Sequence, residues 1–276
     1  MMARKRLDLR LLEDGLVESR ERARGLILAG QVRVDGQRVD KSGTLIGPGA
    51  AVTIEGPKHP FVGRGGVKLR AALDVFGISV QDRVCIDVGV GTGGFTDCLL
   101  QARAARVVAL DVGYGHLHQR LRHDPRVVVL ERVNVRHLTP SQLPELPDLV
   151  VIDVAFISLT LVFPAIVAFL PPSGEIVALI KPQFEVGKGE VGRGGVVRDP
   201  AKHGAAIRRV VSAACLLGLE VKGLCASPIV GAKGNREFFV HLTRSGAVPE
   251  GAGDVERLIG ETIDSRPARV SKEKPR

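Results

Sequence analysis

The sequence predicts an α/β protein in which a large doubly wound domain follows a small α+β domain. Three observations carry this prediction. From residue 67 onward, seven apolar runs typical of strands alternate with helical patterns, which indicates a mainly parallel sheet covered on both faces. Residues 4 to about 55 instead have the pattern of two helices and a hairpin. Between them GPKHPFVGRGG, residues 56–66, is rich in glycine and proline and marks a boundary.

We therefore divide the chain into a small domain at 1–60, a linker at 61–66, a large domain at 67–246 and a C-terminal segment at 247–276. The last apolar run, REFFVHL, follows LEVKGLCASP with no helix between them, which predicts one antiparallel strand. In the C-terminal segment, GDVERLIGETI carries an apolar stripe that predicts a docked helix, followed by a basic tail.

The small domain begins with two helical patterns. An apolar stripe of Leu7, Leu11 and Leu12 predicts the first helix, and Ser19 is suited to cap a second helix that ends at Leu28. The alternating residues QVRVDGQRV then predict a β-hairpin with an Asp-Gly turn, and AVTIEG predicts a further strand.

Basic residues crowd the starts of both helices, and the 276-residue chain has a formal net charge of +9 at pH 7. Such an excess favours an anionic partner, nucleic acid before a membrane surface. A basic surface that serves only solubility is the alternative. The candidate phosphate-binding residues are Arg4, Arg6, Arg20, Arg22 and Lys41.

A longer pattern in this region is more specific. The run RLDLRLLEDGLVESRERARGLILAGQVRVDGQRVDKSG resembles the small alpha-L RNA-binding domain of a ribosomal protein, which also occurs in pseudouridine synthases and some tRNA synthetases. The resemblance implies that the first domain binds RNA. A helical cap with a solvated basic face is the alternative.

Charged residues close four of the strands predicted in the large domain: Asp87, Asp111, Asp153 and Lys181. Ligands of open α/β sheets bind at the carboxyl ends of the strands, so these four positions predict a site. Glu237, inside the apolar last strand, needs a partner because an unpaired buried charge is costly. A salt bridge from Lys181 to Asp153 or Glu237 that only pins strands is the structural alternative.

The loop DVGVGTGGFT is the predicted cofactor site. Its glycines let the backbone approach a ligand and let the next helix begin close to the strand. Asp87 suits the ammonium group of S-adenosylmethionine, whereas Asp111 suits ribose hydroxyls and would serve NAD equally well. Asn134 is either an adenine contact or an ordinary loop residue. The candidate cofactor contacts are Asp87, Gly89, Gly91, Gly93, Phe95, Asp111 and Asn134.

Residues 62–243 resemble the TlyA family, often labelled haemolysins, whose members carry an FtsJ-like ribosomal RNA methyltransferase domain. The resemblance rests on GRGGVKL, DVGVGTGGFTDCLL, ALDVGYG, DPRVVVLERVNVR, DLVVIDVAFISL, IKPQFEVGKGEVGRGGVVRDP and GNREFF. It implies a Rossmann-like methyltransferase sheet, S-adenosylmethionine as cofactor, no metal, and 2′-O-methylation of ribose, with cytidine in ribosomal RNA as the target. It also implies a catalytic tetrad of Lys68, Asp153, Lys181 and Glu237.

The tetrad suggests a mechanism. Lys181 would act as general base beside the second cation Lys68, and Asp153 and Glu237 would orient the two lysines. The sequence departs from the family pattern at three positions: Gly91 and Ala155 replace serines, and His116 replaces a glutamine. At Gly91 we expect the backbone to contact the cofactor where other members of the family use a serine side chain.

Three other functions are weighed against this one. A non-catalytic RNA-binding assembly factor would not need the tetrad, and a nicotinamide-dependent dehydrogenase leaves the basic first domain unexplained. A membrane-lytic haemolysin would need a signal or an exposed amphipathic segment. The best candidate is the uncharged stretch at residues 154–174, in which Pro164 favours a helix packed on the sheet over a membrane span. The four cysteines lack metal-ligand spacing and no signal peptide opens the chain, so we expect a cytoplasmic protein, with a monomer favoured.

Overall fold

The computed structural model describes residues 4–17, 19–28, 30–54, 59–187, 189–231, 233–244 and 252–265. The chain divides into two compact units, residues 1–60 and 61–276. Each unit has buried hydrophobic clusters of its own. The residues 266–276 that we assigned to a basic tail lie outside the described residues.

The first unit contains two helices and five short strands in its described residues. In chain order these are β1 (Lys5–Arg6), α1 (Leu7–Glu13), α2 (Arg20–Leu28), β2 (Val32–Val34), β3 (Gln37–Arg38), β4 (Leu45–Ile46) and β5 (Val52–Ile54). Strand β2 pairs antiparallel with both β3 and β5, and β1 pairs antiparallel with β4. The core beneath them contains Leu7, Leu11, Ala23, Ile27 and Val32, all fully buried.

Local signals in this unit predicted its elements well. The hydroxyl of Ser19 accepts a hydrogen bond of 3.1 Å from the backbone N–H of Arg22, as expected of a helix cap. The hairpin turns at Asp35 and Gly36, which both have positive φ (51° and 78°). Within the predicted apolar stripe, the Leu12 side chain is 38% exposed, because it points away from the face that carries Leu7 and Leu11.

The second unit is built on one large sheet. Its helices are α3 (Gly65–Phe76), α4 (Gly94–Gln101), α5 (Gln119–Arg122), α6 (Phe163–Phe169), α7 (Pro182–Glu185), α8 (Pro200–Leu216) and α9 (Ala252–Asp264). Its strands are β6 (Val84–Val88), β7 (Arg106–Asp111), β8 (Val127–Glu131), β9 (Leu149–Ile152), β10 (Glu175–Ile180), β11 (Leu219–Ala226) and β12 (Phe238–Arg244). Short 3-10 turns lie at Val135–His137, Pro140–Gln142, Leu159–Leu161 and Arg193–Gly195.

The strand order is β11-β12-β10-β9-β6-β7-β8. Strand β12 runs antiparallel to both β10 and β11, whereas β6 to β10 pair in parallel. The predicted mainly parallel sheet with one antiparallel strand is therefore confirmed. All seven predicted apolar runs form its strands.

Hydrophobic clusters cover both faces of the sheet. Neighbouring strand residues face opposite sides, so Cys85 belongs to one cluster and Ile86 to the other. The Ile86 face is covered by residues from α6, α8 and α9, and the Cys85 face by residues from α3 and α4. This burial on both sides explains why the parallel strands are nearly continuous apolar runs.

Helix α6, within the uncharged stretch at residues 154–174, packs against the sheet, as predicted. Phe163, Ile166 and Phe169 of helix α6 are buried in the Ile86 cluster. In the part of the chain that the structure describes, no helix is long and apolar enough to cross a membrane. The predicted apolar stripe of α9 also packs on this cluster, through Val255, Leu258, Ile259 and Ile263.

The segment that we assigned to a linker, residues 61–66, is packed in the second unit. Phe61 is only 7% exposed and belongs to the Cys85 cluster. The backbone N–H of the next residue, Val62, donates a 2.7 Å hydrogen bond to the buried carboxylate of Asp97 in α4. Helix α3 then begins at Gly65. The compact second unit therefore starts at Phe61.

Candidate active site

The carboxyl ends of neighbouring strands bring the predicted catalytic residues to one edge of the sheet. Parallel pairing of β9 with β10 places Asp153 and Lys181 just beyond the ends of these two strands. In the antiparallel pair of β10 and β12, Ile180 lies opposite Phe238. Lys181 and Glu237 each adjoin that pair, so they occupy the same end of two neighbouring strands.

The first ion pair joins Lys181 to Asp153. The Lys181 Nζ lies 2.6 Å from Asp153 Oδ1, and the two side chains are 13% and 21% exposed. Both residues line one large cavity. A partly desolvated ion pair at a cavity wall can keep an amine close to the position of a bound ligand.

The second ion pair joins Lys68 of α3 to Glu237. The Lys68 Nζ donates to Glu237 Oε2 at 2.5 Å, and the side chains are 10% and 4% exposed. Glu237 immediately precedes β12 instead of lying inside it as we predicted. A Cβ atom on Gly231 would lie 2.3 Å from Glu237 Oε1, so glycine at 231 is what admits this carboxylate.

A cavity of about 670 Å³ opens at this edge of the sheet. This is the size of a pocket for a small molecule or cofactor. Its wall comes from the loops that follow neighbouring strands. It is lined by Gly65, Val88, Gly89, Val90, Gly91, Thr92, Gly94, Phe95, Leu110, Asp111, Val112, His116, Asn134, Val135, Asp153, Val154, Ala155, Phe156, Ile157 and Lys181.

The glycine loop is held by Asp111 at the end of β7. Its Oδ2 accepts a 2.8 Å hydrogen bond from the backbone N–H of Gly91, and its Oδ1 accepts a 2.7 Å bond from that of Gly113. Each carboxylate oxygen can accept a second hydrogen bond, so Asp111 remains able to accept from ligand hydroxyls. A Cβ on Gly89 would lie 2.6 Å from the Asp153 carbonyl oxygen, so glycine there lets the loop approach the end of the strand that Asp153 follows.

Five of the seven predicted cofactor residues line the cavity: Gly89, Gly91, Phe95, Asp111 and Asn134. Gly93 and Asp87 do not. Gly93 instead adjoins the side chains of Leu117 and Leu121. The three positions that depart from the family pattern, Gly91, His116 and Ala155, all line the cavity.

Asp87 lies behind the cavity wall. It is fully buried, the hydroxyl of Thr96 donates a 2.6 Å hydrogen bond to its Oδ2, and its Oδ1 has no hydrogen-bond partner among the described residues. Burial raises the pKa of this carboxyl to about 7, and repulsion from Asp153 and Asp111 adds to the effect. In this structure Asp87 therefore ties β6 to α4, and it has no exposed surface for the ammonium contact that we predicted.

In the first unit, two of the predicted RNA-binding residues, Arg6 and Arg20, pair with a buried carboxylate that sequence reasoning missed. Asp8 is fully buried and pairs with Arg6 (3.0 Å), Arg20 (2.9 Å) and Arg24 (3.3 Å). The hydrogen bond from Arg6 is the main cause that holds the pKa of Asp8 well below its usual range. The RLD and SR segments of the sequence contain several of these residues, but only the fold shows that they meet.

The other three predicted RNA-binding residues, Arg4, Arg22 and Lys41, are exposed. The side chains of Arg6 and Arg20 remain 41% and 43% exposed despite their pairing with Asp8. This unit therefore presents several cations to solvent, and three of them, Arg6, Arg20 and Arg24, are paired with a buried anion.

Comparisons with known proteins agree with this architecture. The FtsJ-like methyltransferase family model matches residues 61–244, and the S4 domain model matches residues 5–52. The 16S/23S rRNA (cytidine-2′-O)-methyltransferase TlyA of Mycobacterium tuberculosis is 45% identical over 97% of this chain and 100% of its own length. Hemolysin A of Brachyspira hyodysenteriae is 40% identical over 86% of this chain and 99% of its own length.

A solved structure is also similar over nearly the whole chain. A hemolysin-named protein from Streptococcus thermophilus superposes with a TM-score of 0.73 at 40% identity, covering 95% of this chain and 96% of that one. Relatives of this type therefore carry both methyltransferase and hemolysin names. The function of this chain has to account for the glycine loop, the cavity and the two ion pairs together.

Proposed function

Because the chain belongs to the FtsJ-like methyltransferase family and carries an S4 domain, we propose that it methylates the ribose 2′-hydroxyl of cytidine in ribosomal RNA. Its cofactor is S-adenosylmethionine. The proposed substrate follows the TlyA protein of Mycobacterium tuberculosis, which is named for cytidine-2′-O-methylation of 16S and 23S rRNA. We place the reaction in the cytoplasm, with ribosomal subunits as partners and the protein acting as a monomer.

The observation that carries the proposal is the Lys181–Asp153 ion pair in the wall of the cavity. A ribose hydroxyl is a weak nucleophile until its proton begins to leave, so methyl transfer needs a base aligned with the acceptor. We assign that role to Lys181 Nζ: once the ammonium group has released a proton to solvent, the neutral amine accepts the hydroxyl proton. Asp153 Oδ1, 2.6 Å away, keeps the amine at the cavity wall by ion pairing.

The Lys68–Glu237 ion pair complements the Lys181–Asp153 pair in charge. Lys68 and Glu237 contribute one positive and one negative charge at the same strand ends, so the four side chains are balanced in charge. Burial of an unpaired charge here would be costly, and pairing avoids that cost. We propose that Glu237 orients Lys68 and that Lys68 keeps a positive charge close to the base.

The residues of the cavity fit the cofactor. When bound, S-adenosylmethionine supplies a methyl group on a positively charged sulfur that is already strongly electrophilic. We propose that Asp111 accepts hydrogen bonds from the ribose hydroxyls of the cofactor and that Asn134 lies near its adenine. The backbone of Gly89 and Gly91 would contact the rest of the cofactor. Asp87 then acts indirectly, through Thr96, on the position of the glycine loop.

The S4 domain is proposed to hold the substrate. Arg4, Arg22 and Lys41 are exposed cations, and Arg6 and Arg20 are positioned by Asp8. Contacts of this kind bind phosphates and set the position of an RNA without reading its sequence. The base that is modified would then be selected by the catalytic domain and by the shape of the RNA.

The proposal is tested by incubating the full-length protein with methyl-labelled S-adenosylmethionine and ribosomal subunits that lack the modification. Mass spectrometric mapping should find a 2′-O-methylcytidine that is absent without the protein. The Lys181→Ala variant should yield none. Lys222→Ala, which alters an exposed lysine paired with Glu220, is the matched control and should behave as wild type. Binding of subunits without any methylation would favour the non-catalytic assembly factor.

A further inference from the structure

A buried carboxylate outside the two ion pairs links the segments that carry Asp153 and Lys181. Glu185 is 2% exposed. The Ser158 hydroxyl donates a 2.5 Å hydrogen bond to its Oε2, and the Leu159 backbone N–H donates a 2.9 Å bond to its Oε1. Both oxygens of the carboxylate are therefore used to hold one short stretch of chain.

The two ends of this link belong to different strand-end segments. Glu185 is the last residue of α7, the helix that directly follows Lys181. Ser158 lies beyond residues 153–157, which begin with Asp153 and all line the cavity. The carboxylate of Glu185 thus joins the segment of the proposed base to the segment of its proposed partner.

The segment 153–157 needs such support. Phe156 has φ +63°, a left-handed conformation that is strained for a residue with a bulky side chain. Its side chain is 90% exposed, so burial does not hold it in place. Strained backbone persists when its surroundings over-determine it, and such strain clusters at functional sites.

Helix α7, which carries Glu185, is anchored to helix α8. Arg209 of α8 donates a 2.9 Å hydrogen bond to the Glu185 carbonyl oxygen, which anchors α7 to a long helix. The Phe184 ring, also in α7, lies 5.2 Å from the Phe156 ring between centroids. Glu185 therefore lies on a helix that is anchored to α8, and its hydrogen bonds can restrain the strained segment.

We propose that Glu185 is a positioning residue for methyl transfer, because its hydrogen bonds to Ser158 and Leu159 hold segment 153–157 so that Asp153 stays aligned with Lys181. This inference rests on the proposed function. Glu185 does not line the cavity, and its effect passes through the backbone of the segment. A tie that contributes only to stability would lower the unfolding temperature without changing the rate of folded enzyme.

The test compares three variants of the full-length protein. Glu185→Ala removes both hydrogen bonds. Ser158→Ala removes the Ser158 bond, together with the contacts of that hydroxyl to Thr160, and keeps the Leu159 bond. Glu185→Gln keeps both, because the amide oxygen can accept from Leu159 and the amide nitrogen can donate to the Ser158 oxygen. The matched control is Glu175→Gln, which alters a carboxylate paired with Arg83 and His241 at the opposite end of strand β10.

Single-turnover methyl transfer is measured at saturating cofactor and RNA and expressed per folded molecule. Because small misplacements can cost about 100-fold, we expect Glu185→Ala to lose about 10- to 100-fold in rate. Ser158→Ala should be intermediate, and both Glu185→Gln and Glu175→Gln should stay within about threefold of wild type, since they keep the geometry at this site. Glu175→Gln should still lower the unfolding temperature.

Hydrogen exchange of the cofactor-free protein gives a readout that does not depend on activity. The amides of residues 155–159 should exchange faster in Glu185→Ala and at the wild-type rate in Glu185→Gln. A wild-type rate in folded Glu185→Ala, or equal losses in the Gln and Ala variants, would overturn the positioning role. If wild type itself transfers no methyl group to RNA, the proposed function fails. Unchanged hydrogen exchange in Glu185→Ala would separately show that the bonds from Ser158 and Leu159 to Glu185 do not restrain the segment.

Discussion

The amine of Lys181 lies 2.6 Å from Asp153 Oδ1, although the two residues follow different strands. The pairing leaves both side chains partly exposed toward the same cavity. Lys68 and Glu237 form a separate, more buried pair. The four charges are thus arranged as two lysine–carboxylate pairs, and the pairs differ in their access to a ligand.

The first prediction follows from that difference. Lys181→Ala should abolish methyl transfer while the affinities for cofactor and RNA stay within a few-fold of wild type. The reason is that Lys181 removes the proton of the ribose hydroxyl and contributes little to binding. General bases contribute about 10²–10⁴-fold to rate. Single-turnover kinetics and calorimetric titration measure the two effects. A variant that retains more than about a tenth of the wild-type rate would show that Lys181 is not the base.

The second prediction concerns the buried pair of Lys68 and Glu237. Lys68→Met alone should lower the free energy of unfolding by about 3–5 kcal/mol, because it leaves an unpaired buried carboxylate. The double variant Lys68→Met with Glu237→Leu should recover much of that loss and remain inactive. Urea unfolding measures the stabilities and methyl transfer the activity. Full activity in the double variant would reduce the pair to a structural role.

The third prediction is a pH dependence. The pKa of Asp87 is raised from 3.8 to about 7 by burial, so the folded protein holds a proton that the unfolded chain has lost between these values. Its contribution to stability should therefore fall as pH rises from about 4 to about 7, by on the order of 4 kcal/mol at most. Urea unfolding of cofactor-free protein at pH 5 and pH 8 measures this change.

Asp87→Asn separates this residue from other titrating groups. The variant has no charge to bury, so its stability should change less between the two pH values than that of wild type. Wild type and variant should then differ most above pH 7, with the variant the more stable. Equal pH dependences in the two proteins would mean that Asp87 remains ionised throughout this range.

The fourth prediction uses the division at Phe61. The S4 domain and the catalytic domain have separate hydrophobic clusters, so deletion of residues 1–60 should leave a folded domain that binds cofactor. That domain should fail to methylate ribosomal RNA, since phosphate contacts position the substrate. Normal methylation of the full RNA substrate by the truncated protein would show that the S4 domain is dispensable.

Much of this protein follows from short-range sequence patterns. Ser19 caps its helix, and Asp35 and Gly36 turn their hairpin, because those signals act over a few residues. The seven strands were predictable because each is buried on both faces and is therefore apolar throughout. The strand-end charges pointed to the edge of the sheet at which the cavity lies, since parallel strands align their carboxyl ends.

The tertiary structure decided which of these charges pair. Lys68 and Glu237 are 169 residues apart, and nothing local shows that they meet. The same holds for Asp8 with Arg24, for Glu185 with Ser158, and for the burial of Asp87 behind the cavity wall. Sequence alone thus determined the helices and strands and the edge of the sheet at which the predicted site lies. Through family resemblance it also indicated the candidate catalytic residues. Their pairing and burial depend on packing between distant segments, because Coulomb and desolvation energies are set by distances in space.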